Sequence, residues 1–201
     1  MKVCLDLHDF GIINNRMETL LFLKESFPKF KVSLFTVPME TKNDWGMGIH
    51  RDKYLKSIKD NLSWIQIIPH GLRHNKVEVL KWDYYYASYV LHLIEQLFGN
   101  DGLEFERGFC APHWGWNSEV VQALNDAGWW GAVNPKRTML YTDKFYEYSH
   151  SINERFPRNS DLKLHGHLYG TEDDVSRCMD NLLSLPKNTE WHFCTDFLEK
   201  K

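Results

Sequence analysis

The sequence predicts an α/β fold, a parallel sheet covered by helices, and two observations carry that expectation. Short strand-forming runs alternate with helical segments along the chain, about seven times over. The residues capable of chemistry cluster just after those runs, where strand C-termini of a parallel sheet share one face. At 201 residues the chain is short for a complete eight-unit barrel of about 250. An incomplete (β/α) barrel is expected, with a doubly wound open sheet as the alternative. No linker, low-complexity stretch or repeat interrupts the sequence, which predicts one domain over 1–201.

The elements follow in order. Lys2–Leu7 alternates around Val3, Leu5 and Leu7 and reads as a strand ending at a polar cluster and Gly11. Asn14 or Asn15 can cap a helix through Met17, Leu20, Leu21 and Leu23. Lys31–Val37 is a strand stopped by Pro38, and Glu40–Arg51, with Trp45, Gly46 and Gly48, reads as a loop. Tyr54–Leu62 is a short helix and Trp64–Ile68 a buried strand, cut off by Pro69, His70 and Gly71. Val77–Phe98 is helical in one or two pieces, with Gly99 at C′ and Tyr84–Tyr86 on a partly buried face. Gly108–Ala111 and Gly131–Val133 are short strands flanking a helix with Ser118 as N-cap and Gly128 closing it. Lys136–Ser160 lacks a clear period and is expected to be an excursion. Leu162–Leu168 is a strand, Thr171 and Asp174 form a capping box ahead of Val175–Leu183, and Glu190–Thr195 is the last strand.

Composition excludes several classes. Apolar residues make up 43% and charged residues 25%, a globular balance that rules out disorder, collagen and coiled coil. With 24 Lys and Arg against 27 Asp and Glu the net charge is −3, which disfavours nucleic acid as a partner. The aromatics, 8 Trp, 9 Tyr and 12 Phe, suit both cores and sugar rings. Cys4, Cys110, Cys178 and Cys194 form no CxxC pair, so no zinc ribbon or disulfide framework is expected, and small buried thiols are. The first residues carry Asp6, His8 and Asp9 where a signal peptide needs an apolar run, and no run reaches the length of a membrane span. These features predict a cytoplasmic protein, although a bacteriophage product released by lysis would meet other substrates. Neither GxGxxG nor a phosphate-binding P-loop is present.

The chemistry concentrates in four segments. In His70-Gly71-Leu72-Arg73-His74 the two histidines can reach one metal if the segment turns helically. Asp9, which alone would read as a helix cap, completes a two-histidine, one-carboxylate set. Such a set suits zinc in hydrolysis or ferrous iron in oxygen chemistry. His165 and His167 lie on one face of a strand by alternation, and Asp6 shares a face with His8 and can hold its ring. Trp114 and Trp116 can stack on a sugar or serve as core. His113 lies close in sequence, and His50, His92, His150 and His192 read as structural.

LDLHDFGIINNRMETLLFL resembles the first motif of the polysaccharide deacetylase (NodB-like) superfamily, in the DDFG form of its YdjC-like branch. HGLRH resembles the second motif, GFCAPHWGWNSEVVQALNDAGWWGA the third and LKLHGHLYG the last, in the family's order. The resemblance implies a distorted (β/α)7 barrel and metal-dependent removal of an N-acetyl group from a sugar or glycoconjugate. It implies Asp9, His70 and His74 as ligands of one divalent metal, with zinc expected, and His165 as general acid with His167 as its rival. Two departures accompany it. His8 stands where the family has its base carboxylate, and Cys110 stands where it has the supporting arginine. The two agree, since a neutral imidazole base, held by Asp6, needs no arginine partner. Cys110, Pro112, Trp114 and Trp116 are the substrate-side candidates. O-acetyl or N-formyl hydrolysis, and a non-catalytic carbohydrate-binding protein on the same frame, are the alternatives. Oligomeric state is left open.

Overall fold

The computed structural model describes residues 1–41, 48–157 and 160–201, the side chains of 40–51 excepted. The chain begins with β1 (Lys2–Phe10), α1 (Met17–Ser26), β2 (Val32–Thr36), α2 (Gly48–Lys59) and β3 (Ile65–Pro69). It continues through α3 (Tyr84–Asn100), β4 (Gly108–Cys110), α4 (Ser118–Asp126), β5 (Trp130–Val133), β6 (Lys144–Glu147) and β7 (His150–Ser151). The last elements are β8 (Leu162–Gly166), α5 (Glu172–Leu183), β9 (Glu190–His192) and β10 (Glu199–Lys200).

Two sheets are hydrogen-bonded in the orders β3-β2-β1-β8-β7 and β10-β6-β5-β4, with β9 pairing the first residues of β1. Every pairing is parallel except that of β10 with β6. The sheets meet through a parallel bridge between His70 and Cys110. On the other side β6 and β7 are successive stretches of one segment, separated only by Tyr148 and Ser149. The order around the molecule is therefore β1, β2, β3, β4, β5, β6 with β7, and β8, back to β1. This is the circular order of a distorted seven-position (β/α) barrel whose ladder is interrupted at two places, and it excludes the doubly wound alternative.

Strand alternation separates two cores. Val3, Leu5, Leu7, Leu34, Ile67 and Leu164 face outward into the layer shared with the helices, where Leu20, Leu23, Val90 and Ile94 are fully buried. Cys4, Phe35, Ile68, Cys110, Trp130 and Tyr146 face inward and, with Cys194, form a second, smaller cluster inside the ring. All four cysteines are buried and unbridged.

Several local expectations need correction. The Lys136–Ser160 stretch is not a featureless excursion, because it supplies β6 and β7, and the C-terminal β10 was not expected at all. Gly99 lies inside α3. The helix closes through Gly102 at φ +60°, whose N–H reaches the Gly99 carbonyl. Asn117, not Ser118, caps α4 by accepting the Val120 N–H, while Gly128 at φ +72° ends it as expected. The last strand stops at His192 and runs into a 3-10 turn over Cys194–Phe197. Tyr85 and Tyr86 are exposed, at 82% and 47%, since Ala87, Val90, Leu91 and Ile94 form the buried face of α3. Asn15 accepts the Met17 N–H, and the Thr171–Asp174 capping box forms. Of the loop expected over 40–51, residues 42–47 lie outside the described residues, as does the side chain of His50, while α2 begins at Gly48, inside that loop and ahead of the expected start at Tyr54.

Candidate active site

A cavity of 250 Å³ opens where the inward faces of the strands end, lined among others by His8, Asp9, His70, His74, Trp114 and His165. A larger groove of 450 Å³ beside α1 and α2 has Arg16, Glu18 and Lys53 in its wall and, among the described residues, no histidine or cysteine.

Strand β1 delivers three of the site's groups by an irregularity. Asp6 and His8 point inward by alternation, so Asp9 should point outward with Leu7. Instead the register with β2 shifts between Leu7 and Phe10, and Asp9 adopts φ +55°. A bulge of this kind re-aims one side chain, and it brings consecutive residues 8 and 9 into the same cavity. Positive φ is costly for a residue with a Cβ and recurs at functional sites. His74 at φ +60° and the successive His113 and Trp114 at +55° and +62° share it, all four around this cavity.

His70 and His74 do not converge through a helical turn. The segment is a loop, with Gly71 at φ +62° as well as His74. The Glu78 carboxylate holds it, accepting the backbone N–H groups of Leu72 (2.9 Å), Arg73 (3.1 Å) and His74 (3.2 Å). A side chain at position 71 would collide with that carboxylate and with the Pro112 ring, so glycine is required on both counts.

Around Asp9, His70 Nε2 lies 3.0 Å and His74 Nε2 2.7 Å from Oδ1. His167 Nε2 is 3.5 Å from Oδ2, which also accepts the Tyr169 hydroxyl. His70 Nδ1 sits 3.0 Å from the Cys110 carbonyl and donates to it, leaving Nε2 as a lone pair. Asp9 Oδ1 is buried and accepts no well-formed hydrogen bond despite its two close nitrogens. Two imidazole nitrogens and a carboxylate oxygen make a donor set for a cation, and these three atoms lie within 4.8 Å of one another. The residues present fit a divalent metal of the nitrogen- and oxygen-bound kind. Burial pushes the Asp9 carboxyl up, but His70 and His74, when their Nε2 atoms carry protons, and the Tyr169 hydroxyl hold it well below the usual carboxylate range.

Asp6 is a second, differently completed centre. It lies opposite His165 in the β1–β8 register. His165 Nδ1 is 2.6 Å and His8 Nε2 3.2 Å from its Oδ1, and the Tyr146 hydroxyl donates to Oδ2 at 3.0 Å. Burial raises this carboxyl, yet the two imidazoles outweigh it and keep Asp6 ionised. Its hold on His165 Nδ1 fixes a proton there and leaves that ring's Nε2 as the nitrogen that can gain or give up one. Burial pushes the His8 imidazole well below its ordinary range, so it is neutral, and its Nδ1 is 3.9 Å from Cys110 Sγ. Burial also raises the Cys110 thiol, which therefore stays protonated. His167 is lowered to about 4, chiefly by burial.

The cavity thus gathers His8, Asp9, His70, His74, His165 and His167, with Asp6 and Cys110 behind His8. Trp114 forms a wall, its ring 5.2 Å from His8 and 5.3 Å from His165. Pro112 is buried in the turn that carries Trp114. Trp116 does not line the cavity and packs on Phe109 at 5.9 Å, as core. His113 does line it, whereas His192 is away from it, beside Asp196. Sequence reasoning missed five participants: Tyr146, Tyr148 stacked 4.4 Å from His165, Tyr169, Arg137 and Glu78. Tyr169 stood within a quoted motif and could have been found. Tyr146, Tyr148 and Arg137 depend on pairings distant in sequence, whereas Glu78 acts on its own loop.

No family model matches the sequence, and no curated protein matches it. Solved structures do. A chitin deacetylase from the fungal pathogen Colletotrichum lindemuthianum superposes with TM-score 0.64 at 10% identity, over 99% of this chain and 88% of that one. A family 4 carbohydrate esterase from Streptomyces lividans, in complex with acetate, gives 0.59 at 10% identity, over 90% and 87%. A family 4 pseudoenzyme from Bacillus anthracis gives 0.61 at 10% identity, over 98% of this chain and 64% of that one. The chain therefore has the fold of the carbohydrate esterase family 4 polysaccharide deacetylases.

Proposed function

We propose that this protein is a metal-dependent hydrolase that removes the N-acetyl group from a sugar or glycoconjugate, within one domain spanning 1–201. The observation that carries the reading is the pairing of two carboxylate–imidazole centres across one small cavity. Asp9, His70 and His74 would hold a divalent ion, zinc by donor type, and Asp6 orients His165 and His8 beside it. A bound zinc ion supplies Lewis acidity and lowers the pKa of its water from 15.7 toward about 7.

The chain's own groups do the rest. His8 is kept neutral, the form that can accept a proton. His165, with Nδ1–H fixed on Asp6, takes up a second proton from solvent at Nε2, as an imidazolium that the Asp6 carboxylate stabilises, and gives it to the departing amine, which is a poor leaving group until protonated. Trp114 offers an aromatic wall for the sugar face, and with Tyr148 it excludes water from His165. Ester and formyl substrates pass through the same type of tetrahedral intermediate and fit the same groups. The test is acetate release from a panel of N-acetylated sugars by the zinc-loaded protein, with and without chelator. Chelator-sensitive release is expected, and its absence across the panel overturns the reading.

A second reading, carbohydrate binding without turnover, has one observation in its favour. His8 Nδ1 faces the Cys110 thiol, and burial weakens the ring as a base. Sugar binding with metal retained and no acetate released would select it.

A further inference from the structure

The cavity wall contains six histidines, one carboxylate and one guanidinium, that of Arg137. The carboxylate, Asp9, is engaged by His70, His74 and Tyr169. Arg137 is an exposed residue at the rim of this wall, and among the described residues no carboxylate lies within ion-pair distance of it. Nor is Arg137 on a loose loop. It sits in a turn leaving β5 in which the Asn134 carbonyl accepts the N–H groups of Arg137 (3.0 Å) and Thr138 (2.8 Å). The Asn134 side chain accepts the Lys136 N–H at 2.9 Å, and Thr138 Oγ1 accepts the Asn134 N–H at 3.0 Å. Asn134 and Thr138 are both buried. The Arg137 charge is felt by the Tyr148 phenol, which stacks on His165, so the guanidinium stands on the His165 side of the cavity.

A guanidinium is permanently charged and presents a planar fork that matches the two oxygens of a phosphate or carboxylate. With no ion-pair partner among the described residues, a guanidinium lining the cavity can meet one on a ligand. The volume, 250 Å³, lies below the range of about 300–1,000 Å³ that takes drug-sized ligands, so the anion must lie close to the reacting ring. We propose that Arg137 selects N-acetyl sugars that carry an oxyanion near the acetamido-bearing ring. The inference rests on the deacetylase reading and narrows its substrate class.

Binding and turnover are measured separately, for the zinc-loaded wild type and for Arg137→Gln and Arg137→Lys. The probes are N-acetylglucosamine, N-acetylglucosamine 1-phosphate and N-acetylmuramic acid, which present no anion, a phosphate and a carboxylate. A charge-assisted contact predicts that at least one anionic probe binds the wild type about tenfold more tightly than the neutral one. Arg137→Gln should collapse that ratio toward one, and Arg137→Lys should restore part of it. Which anionic probe gains shows whether phosphate or carboxylate is read. Equal affinity for all three probes, or a preference that survives Arg137→Gln, overturns the inference. Arg137-dependent preference without acetate release upholds it and overturns hydrolysis. Acetate release with no anionic preference does the reverse.

Discussion

Two carboxylates three residues apart on one strand, Asp6 and Asp9, are flanked by two and three imidazoles, yet they are completed in opposite ways. Asp6 lies in the plane of the ladder and its oxygens meet donors: His165, His8 and the Tyr146 hydroxyl. Asp9 lies beyond a bulge and keeps one buried oxygen without a well-formed hydrogen bond, facing two ring nitrogens. The difference originates in the far side of each imidazole. The Cys110 carbonyl takes the His70 Nδ1 proton and so turns a lone pair toward Asp9. No such acceptor competes at Asp6 for the His165 Nδ1 proton, which points at the carboxylate itself. Identical residue types thus make a cation site in one place and a proton-positioning pair in the other.

The sharpest way to break this contrast is to exchange the two carboxylates for amides. Asp9→Asn should lose bound zinc, read by elemental analysis, and bring acetate release to background. His74→Ala should do the same. Asp6→Asn should keep the metal and lower kcat, because the amide cannot hold the His165 tautomer. Metal retained in full by Asp9→Asn would assign the ion to another set of atoms.

A smaller effect separates the histidines. Removing a general acid costs about 10²–10⁴-fold in rate, so His165→Ala should fall in that range in kcat with metal content unchanged. His8→Ala should keep metal and also lose turnover if the ring accepts the water proton. His167, off the end of β8 and 35% exposed in its side chain, should act mainly on KM. The reverse ranking of His165 and His167 would move the acid role to His167.

A third prediction concerns the loop that joins the two ligands. Glu78→Ala leaves the N–H groups of Leu72, Arg73 and His74 without their acceptor. An unsatisfied partly buried N–H costs about 1–3 kcal/mol, so a loss of that order is expected in urea denaturation, together with weaker zinc retention. Unchanged stability would show that water replaces the carboxylate.

How far the sequence reveals all this depends on the range of the interactions. β1, β2, β3 and β8, the Gly128 stop and the Thr171–Asp174 box follow from patterns a few residues long, and they are where those patterns put them. β6, β7 and β10 are short, and Lys144, Glu199 and Lys200 in them are exposed, so no local period marks them, and with them went the closure of the ring. The site residues were legible because they follow strand ends in a parallel fold. The bulge that turns Asp9 inward was not, since alternation alone assigns it to the outer face. Tyr146 gave no signal, because its role exists only once distant segments meet, and Glu78, although four to six residues from the N–H groups it holds, belongs to no periodic pattern.

The smallest effect is a pH dependence of stability, and its sign follows from the buried imidazoles. Unfolded, His8 and His167 take up a proton near pH 6.5. Folded, burial holds His8 well below that and His167 at about 4. Between those values the unfolded chain binds more protons than the folded one, so stability falls as pH falls. Each fully shifted histidine contributes a slope of at most about 1.4 kcal/mol per pH unit, and the partly exposed His167 contributes less. Asp6 and Asp9 have the same sign but a different window. Their folded values lie below the ordinary carboxylate range, so their contribution is lost only below about pH 4. Urea denaturation of chelator-treated protein at pH 7.5 and pH 5 should therefore show a lower midpoint at pH 5, with His8 and His167 responsible and the carboxylates silent. His8→Gln should flatten the difference more than His167→Gln, because only His8 is fully enclosed. A midpoint unchanged between the two pH values would mean that both rings protonate freely in the folded chain, and the neutral base assigned to His8 would go with them.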